Sequence, residues 1–249
     1  MYRGKAYKYR GFGGLDPNAK ARIEEMLVSR KCYFAKPSSL NDSFDCKPSL
    51  LMAAGDLRNY IVKLGKKKGL NLASTQITQT VIDIRNEYND DKFQAVLDKE
   101  VGVFCLSESP TLGTQWAYYG ENHSGFSVEY DINEKFDYPA VRVNYSKERP
   151  EIDLIRFQSE LSYRLNVMKE LVITKSDEWN HEKEVRVLNR GSGLYEVSSS
   201  NITGVVFGLR AEPENVDFIR SIIMNHKLDI NCYQCKESGE HFKLHLAKM

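Results

Sequence analysis

No stretch of about 18 consecutive apolar residues occurs in the sequence, which removes a membrane-spanning helix from consideration. The opening MYRGKAYKYRGFGG has no apolar h-region, so a secretory signal is not expected either. Cysteine is sparse: five residues, an odd number without a dense framework, which points to a reducing cytoplasm and away from a disulfide-stapled fold. An excess of one charge is missing too, since 35 Lys+Arg stand against 34 Asp+Glu. That balance neither demands nor excludes a nucleic-acid partner, because net charge hides distribution. Internal repeats and low-complexity linkers are absent. A single domain over residues 1–249 is therefore expected, long enough to bury a substantial core.

What is present is patterned. "KAYKYRGF" alternates, with Tyr7 and Tyr9 on one face of a strand and Lys8 and Arg10 on the other. Asp16-Pro17 then reads as the capped start of a helix whose Ile23, Met26 and Leu27 fall at helical spacing. Residues 50–100 look helical and irregularly amphipathic, an insertion broken near "GKKKG" at 65–69. "VGVFCLS" (101–107) has the nearly continuous apolarity of a buried strand. Ser109-Pro110 precedes an expected helix "TLGTQWAYYG", which Gly120 can end. "GFSVEYD" and "AVRVNY" (140–145) alternate as antiparallel strands, and residues 151–175 read as one helix. "EKEVRVL", "ITGVVFGL" and "HFKLHLA" supply later strands, with "NVDFIRSIIMNHK" a helix between them. Late strands with irregular helices predict the α+β class, with a mixed, mostly antiparallel sheet and flanking helices.

The polar groups fall into a few constellations. Cys232-Tyr-Gln-Cys235 with His241 and His245 resembles a zinc ligand set, but the gap between the pairs is too short for a finger; no metal site is expected. In "LNDSFD" (40–45), Asn41 and Asp42 suit either an Asx-type turn held by Leu40 and Phe44 or the lining of a ligand cleft. In "QWAYYGENHSG" (115–125), Leu112, Trp116 and Tyr119 share a helical face, as core aromatics do, while His123 follows in a glycine-flanked loop. In a strand over 181–188, Glu182, Glu184 and Arg186 share one face, and Lys183, Val185 and Val187 share the other. A solvated ladder screened by Arg186 is one reading. A cleft in which one carboxylate meets a sugar hydroxyl while the other orients an acceptor is the alternative. The residues alone leave both open.

"YKYR" (7–10), "LNDSFD", "FCLSE" (104–108), "WAYYGENHSG", "FSVEYD" and "WNHEKEVR" (179–186) run in the order of a bacterial family, domain-of-unknown-function family 2971, which the chain resembles across residues 7–208. Ser43 stands where that family usually has proline, and Gln115 where it often has methionine; neither change removes a chemical group. The layout is in turn similar to ADP-ribosyltransferase-like folds, with a late strand bearing E-x-E. That similarity implies a split, bent sheet and NAD as substrate. Glu184 would then hydrogen-bond the nicotinamide ribose, Glu182 would activate the acceptor, and Arg186 would belong to the catalytic strand. Trp116 or Tyr119 would stack the nicotinamide. Tyr9, Arg10, Asn41, Asp42 and His123 would line the nucleotide site.

Hypotheses from different classes follow. The first is an NAD-dependent ADP-ribosyltransferase or NAD glycohydrolase, a toxin or phage-defence effector with a nucleic-acid or protein acceptor and an antitoxin or sensor partner. The second is a noncatalytic nucleotide- or nucleic-acid-binding module that uses the same cleft. A third, a metal-dependent nuclease, needs Glu129, Asp131, Glu182 and Glu184 to converge with Lys183, although strand parity turns Lys183 away.

Overall fold

The computed structural model describes residues 1–14, 16–51, 54–87, 90–133 and 135–249. In chain order its elements are β1 (Gly4–Arg10), α1 (Ala19–Val28), β2 (Lys31–Phe34), β3 (Ser49–Leu51), α2 (Ala54–Lys67), α3 (Ser74–Glu87), α4 (Asp90–Glu100) and β4 (Val101–Ser107). There follow α5 (Gly113–Tyr118), β5 (Phe126–Ile132), β6 (Ala140–Arg142), β7 (Asn144–Ser146), β8 (Glu151–Asp153), α6 (Leu154–Ser159), α7 (Leu161–Ile173) and β9 (Thr174–Ser176). The chain closes with β10 (Glu184–Arg190), β11 (Gly193–Glu196), β12 (Ile202–Phe207), α8 (Pro213–Asn225), β13 (Asn231–Glu237) and β14 (Leu244–Lys248). No helix among the described residues is long and apolar enough to cross a membrane.

The fold is α+β, and the chain falls into two compact units. The first comprises Met1–Ala35, Gly102–Val143 and Glu178–Met249. Its centre is an eight-stranded sheet in the order β14-β13-β12-β5-β1-β4-β10-β6, hydrogen-bonded without a split. β12 and β13 run parallel, joined by α8, whereas β1 pairs antiparallel with β5 along its whole length, from Gly4↔Ile132 to Arg10↔Phe126. Alternation along these strands sorts side chains to two faces. One face carries Ala6, Phe104, Val128, Val185, Val187 and Val205, packed with Ile23 and Leu27 of α1 and Ile219 of α8. Nearly all these side chains are inaccessible, so this layer is the hydrophobic core.

The second unit comprises Lys36–Val101 and Asn144–Asp177. Leu57, Ile61, Ile77 and Val81 form the apolar seam of α2 and α3, and Phe93 packs on Phe157 with ring centroids 5.1 Å apart. Its strands are short parallel pairs, β3 with β8 and β7 with β9. The helical stretch expected over 50–100 is thus α2, α3 and α4; residues 52, 53, 88 and 89 of it lie outside the described residues.

Several boundaries differ from the expectation, for local reasons. The single helix expected over 151–175 is β8, α6, α7 and β9. Asp153 caps α6 by accepting from the Ile155 and Arg156 amides, and Glu160, extended at φ −120°, separates the two helices. The strand expected over 140–145 is divided at Val143, whose amide donates to the Glu184 carbonyl at 3.0 Å. The first helix starts at Ala19 and not at Asp16-Pro17, because the Asp16 side chain accepts from the Asn18 amide and Arg22 instead of capping a helix at Pro17. Ser109 likewise does not cap α5, whose N-cap is Leu112; the Ser109 hydroxyl meets Thr111. The last strand begins at Leu244, which leaves His241 outside it.

Candidate active site on the polar face of the sheet

The second face of the eight-stranded sheet is polar and still buried. Register places Tyr7 opposite Glu129 and Ser107, and Tyr9 opposite Ser127. Glu184 and Arg186 share this face, because the valines between and after them, Val185 and Val187, belong to the core layer. Glu184 is 6% and Arg186 0% exposed, so the ladder reading fails: these groups are not solvated.

Arg186 donates from Nε to Oε1 of Glu184 at 2.8 Å and from Nη2 to Oε2 at 3.2 Å. Two parallel charge-assisted bonds fix the carboxylate plane as well as its position. Such a pair repays the desolvation of both ions only while both are present. Cys105 of β4 stands beside it. Burial first, and then the Glu184 carboxylate, push the Cys105 thiol far above the ordinary cysteine range, which favours the neutral S–H as hydrogen-bond partner of Glu184.

Glu182 reaches the same neighbourhood by another route. Strand β10 starts only at Glu184; residues Asp177–Glu182 form a 3-10 turn, and Lys183 has φ +48°. The shared strand face expected for Glu182 with Glu184 and Arg186 therefore holds for the last two alone, and the parity expected of Lys183 lapses with it. Glu182, 3% exposed, accepts from the Tyr119 hydroxyl at Oε1 (2.7 Å), and its carbonyl accepts from Ser107 Oγ (2.7 Å). The Glu108 amide then donates to the Lys183 carbonyl at 2.9 Å. These bonds carry the chain from turn to strand without exposing the carboxylate.

The aromatic residues divide in the same manner. Trp116 is completely buried, donates from Nε1 to the Pro110 carbonyl (2.9 Å), and meets Tyr9 edge to face at 4.8 Å. Tyr9 is itself buried, and its hydroxyl donates to the Ser109 carbonyl at 2.6 Å. Both rings are wall, with no open face for a ligand. Tyr118, one residue before Tyr119, is 63% exposed and lies 6.4 Å from both Trp179 and His181, which stack on one another at 6.1 Å. This aromatic shelf was missed in the sequence. The available signal was "EWNH" immediately before the glutamates, with two aromatics spaced by one residue in a segment too polar for a core.

The other expected site residues are dispersed. Arg10 projects from the core-side face of β1, opposite to Tyr9 and Glu184. His123, at φ +71°, donates its amide to the Trp116 carbonyl and lines a cavity of about 850 Å³ with Ser109, Lys183 and Lys243. Burial, and then Arg210, hold its imidazole below the ordinary histidine range. Asn41 and Asp42 belong to the second unit. There Asp42 Oδ1 accepts from the Phe44 amide at 3.0 Å, the Asx turn expected of this stretch, but Phe44 is 62% exposed and does not hold it.

The convergence required by a metal-dependent nuclease is not found. Glu129 sits on β5, and β1 and β4 lie between it and β10, a separation of about 14 Å at normal strand spacing. Among the described residues no group of three or more His, Cys, Asp or Glu is placed to hold a metal ion. Cys235 is buried, and desolvation pushes its thiol up to about 12.

Comparison with curated proteins and with solved structures gives no match. Residues 115–187 match the family described as "Protein of unknown function (DUF2971)". That segment runs from α5 into β10 and contains Trp116, Tyr118, Tyr119, His123, Trp179, Glu182, Glu184 and Arg186, whereas Tyr9, Arg10, Asn41 and Asp42 lie outside it. Over this central segment the chain is similar to the DUF2971 family.

Proposed function

We propose that the polar sheet face cleaves the nicotinamide–ribose bond of NAD, as a glycohydrolase or as an ADP-ribosyltransferase. The observation that carries this reading is the pairing of two separately held carboxylates, Glu182 at the end of the turn and Glu184 at the start of β10, beside a partly exposed aromatic shelf. Nicotinamide would leave with the electron pair of the C–N bond, and Glu184 would stabilise the oxocarbenium-like ribose through its hydroxyls. Water or an acceptor oxygen or nitrogen would then bond to C1′ and give its proton to Glu182. Tyr118 and Trp179, with surface available, suit a planar base better than the enclosed Trp116.

Released nicotinamide is the test, with Glu184→Gln as control. The variant keeps the shape and removes the charge, and we expect a loss of about 10²–10³-fold. No turnover with water, protein or nucleic-acid acceptors, together with no NAD binding, overturns the proposal. The Arg186 fork favours a second reading, because it engages both oxygens of Glu184. On that reading the face is a noncatalytic nucleotide- or nucleic-acid-binding module: NAD or an oligonucleotide binds and no nicotinamide is released.

A further inference from the structure

Arg10 leaves the polar face and enters a different setting. A cavity of about 660 Å³ lies on the core side of the first unit, walled by Ile23 and Met26 of α1 and by Phe126, with Arg10 at one edge. That volume is in the range of small-molecule sites. The other charged groups around it are engaged. Arg22 pairs with Asp16, Lys31 with Glu25 at 2.8 Å, and Glu121 accepts from the Phe12 amide at 2.8 Å. The Arg10 guanidinium has no ion-pair or hydrogen-bond partner among the described residues. Lys8, on the same face of β1, donates to the Cys105 carbonyl and lies over the Phe104 ring.

The rim gives a second, independent sign. Tyr33 and Leu194 face each other across the β2–β11 pair, and they are 50% and 54% exposed. Apolar side chains held opposite one another at a cavity mouth present surface to an occupant with an apolar body. The turn leading into the cavity excludes side chains: Gly13 has φ +83°, and a Cβ there would stand 2.5 Å from that of Ala19.

We propose that this cavity binds a small amphipathic anion, its apolar body against Tyr33, Leu194 and the edges of Ile23 and Met26 and its carboxylate or phosphate on Arg10. The site is separate from the Glu182–Glu184 face and does not rest on the NAD reading. Titration calorimetry of the full chain with octanoate, 3-phenylpropionate and octyl phosphate, beside octanol and 3-phenylpropanol, tests it. At least one anion should bind saturably, about ten- to a hundred-fold tighter than its neutral alcohol. A preference between octanoate and octyl phosphate then names the headgroup. Arg10→Ala, which disturbs no internal partner, should bring the anion to the level of the alcohol, and Met26→Trp should abolish both by filling the space. Glu184→Gln should leave this binding unchanged. The proposal is overturned if no anion saturates, or if Arg10→Ala keeps the full preference for the anion.

Discussion

Two buried carboxylates on the same face of the sheet, Glu129 and Glu184, are held in opposite ways. Glu129 accepts from Lys5 Nζ (2.8 Å), Tyr7 Oη (2.9 Å) and Thr203 Oγ1 (2.7 Å), groups that come from β1 and β12 on either side of its own strand. It ties three strands together. Glu184 is forked by Arg186, two residues along the same strand, which sets the plane of its carboxylate. Burial is the same in both places and does not mark a site. What distinguishes them is the donor set: a lysine and two hydroxyls from the flanking strands for Glu129, a guanidinium of its own strand for Glu184.

Removing Arg186 should break the comparison most severely. Arg186→Met leaves a buried anion without its partner and should cost about 3–5 kcal/mol, read from the shift of the urea midpoint. The double variant Glu184→Met/Arg186→Met should recover most of that loss, because two apolar side chains no longer require pairing. If the double variant is as unstable as the single ones added together, the fork does not couple the two residues.

The aromatic residues offer the next contrast. Trp116→Ala empties a fully enclosed position and should cost about 3–5 kcal/mol. Trp179→Ala, at a partly exposed position, should cost less than half of that. If the shelf receives a base, Trp179→Ala should instead weaken NAD binding about tenfold, measured by titration. Equal stability losses for the two variants would remove the distinction between wall and shelf.

Glu129→Gln sharpens the structural side. Loss of the charge under its donors should cost about 1–3 kcal/mol at neutral pH and leave nicotinamide release unchanged. Burial alone would raise the Glu129 carboxyl, but Lys5, Thr203 and Tyr7 together hold it below its ordinary 4.5. The unfolded chain therefore takes up its proton first as pH falls, so this stabilisation is present above about 4.5 and is lost as pH drops through the native value. The gap between wild type and Glu129→Gln should close along that acid limb; a gap that stays constant down to acid denaturation would show that charge plays no part.

Much of this was legible in the residues. Period-two alternation placed Tyr7 with Tyr9 and turned Lys8 and Arg10 away, and the structure follows it, because register and burial both depend on side-chain parity. The same rule misplaced Glu182, since parity applies only within a strand. Lys183 in the left-handed region ends the turn Asp177–Glu182 immediately before β10, and nothing in the composition of "EKEVR" announces a residue there at φ +48°. Trp116 was readable as core from its helical face, but not its enclosure by Tyr9, which comes from over a hundred residues away. Long-range partners of that kind, including the Tyr119–Glu182 bond, are set by strand order and leave no local pattern.

The smallest expected effect separates the two carboxylates most finely. Tyr119→Phe removes the hydroxyl that donates to Glu182 Oε1 and leaves the ring in place. A single buried hydrogen bond of this kind should contribute about 1 kcal/mol, a modest shift in the urea midpoint. The effect on chemistry should differ in kind from that of Glu129→Gln. If Glu182 takes the acceptor's proton, its orientation matters more than its presence, and nicotinamide transfer to an acceptor should fall about tenfold while NAD binding holds. A loss of stability with no change in turnover would put Tyr119 and Glu182 in the same class as Tyr7 and Glu129, a bond that holds the sheet face together and nothing more.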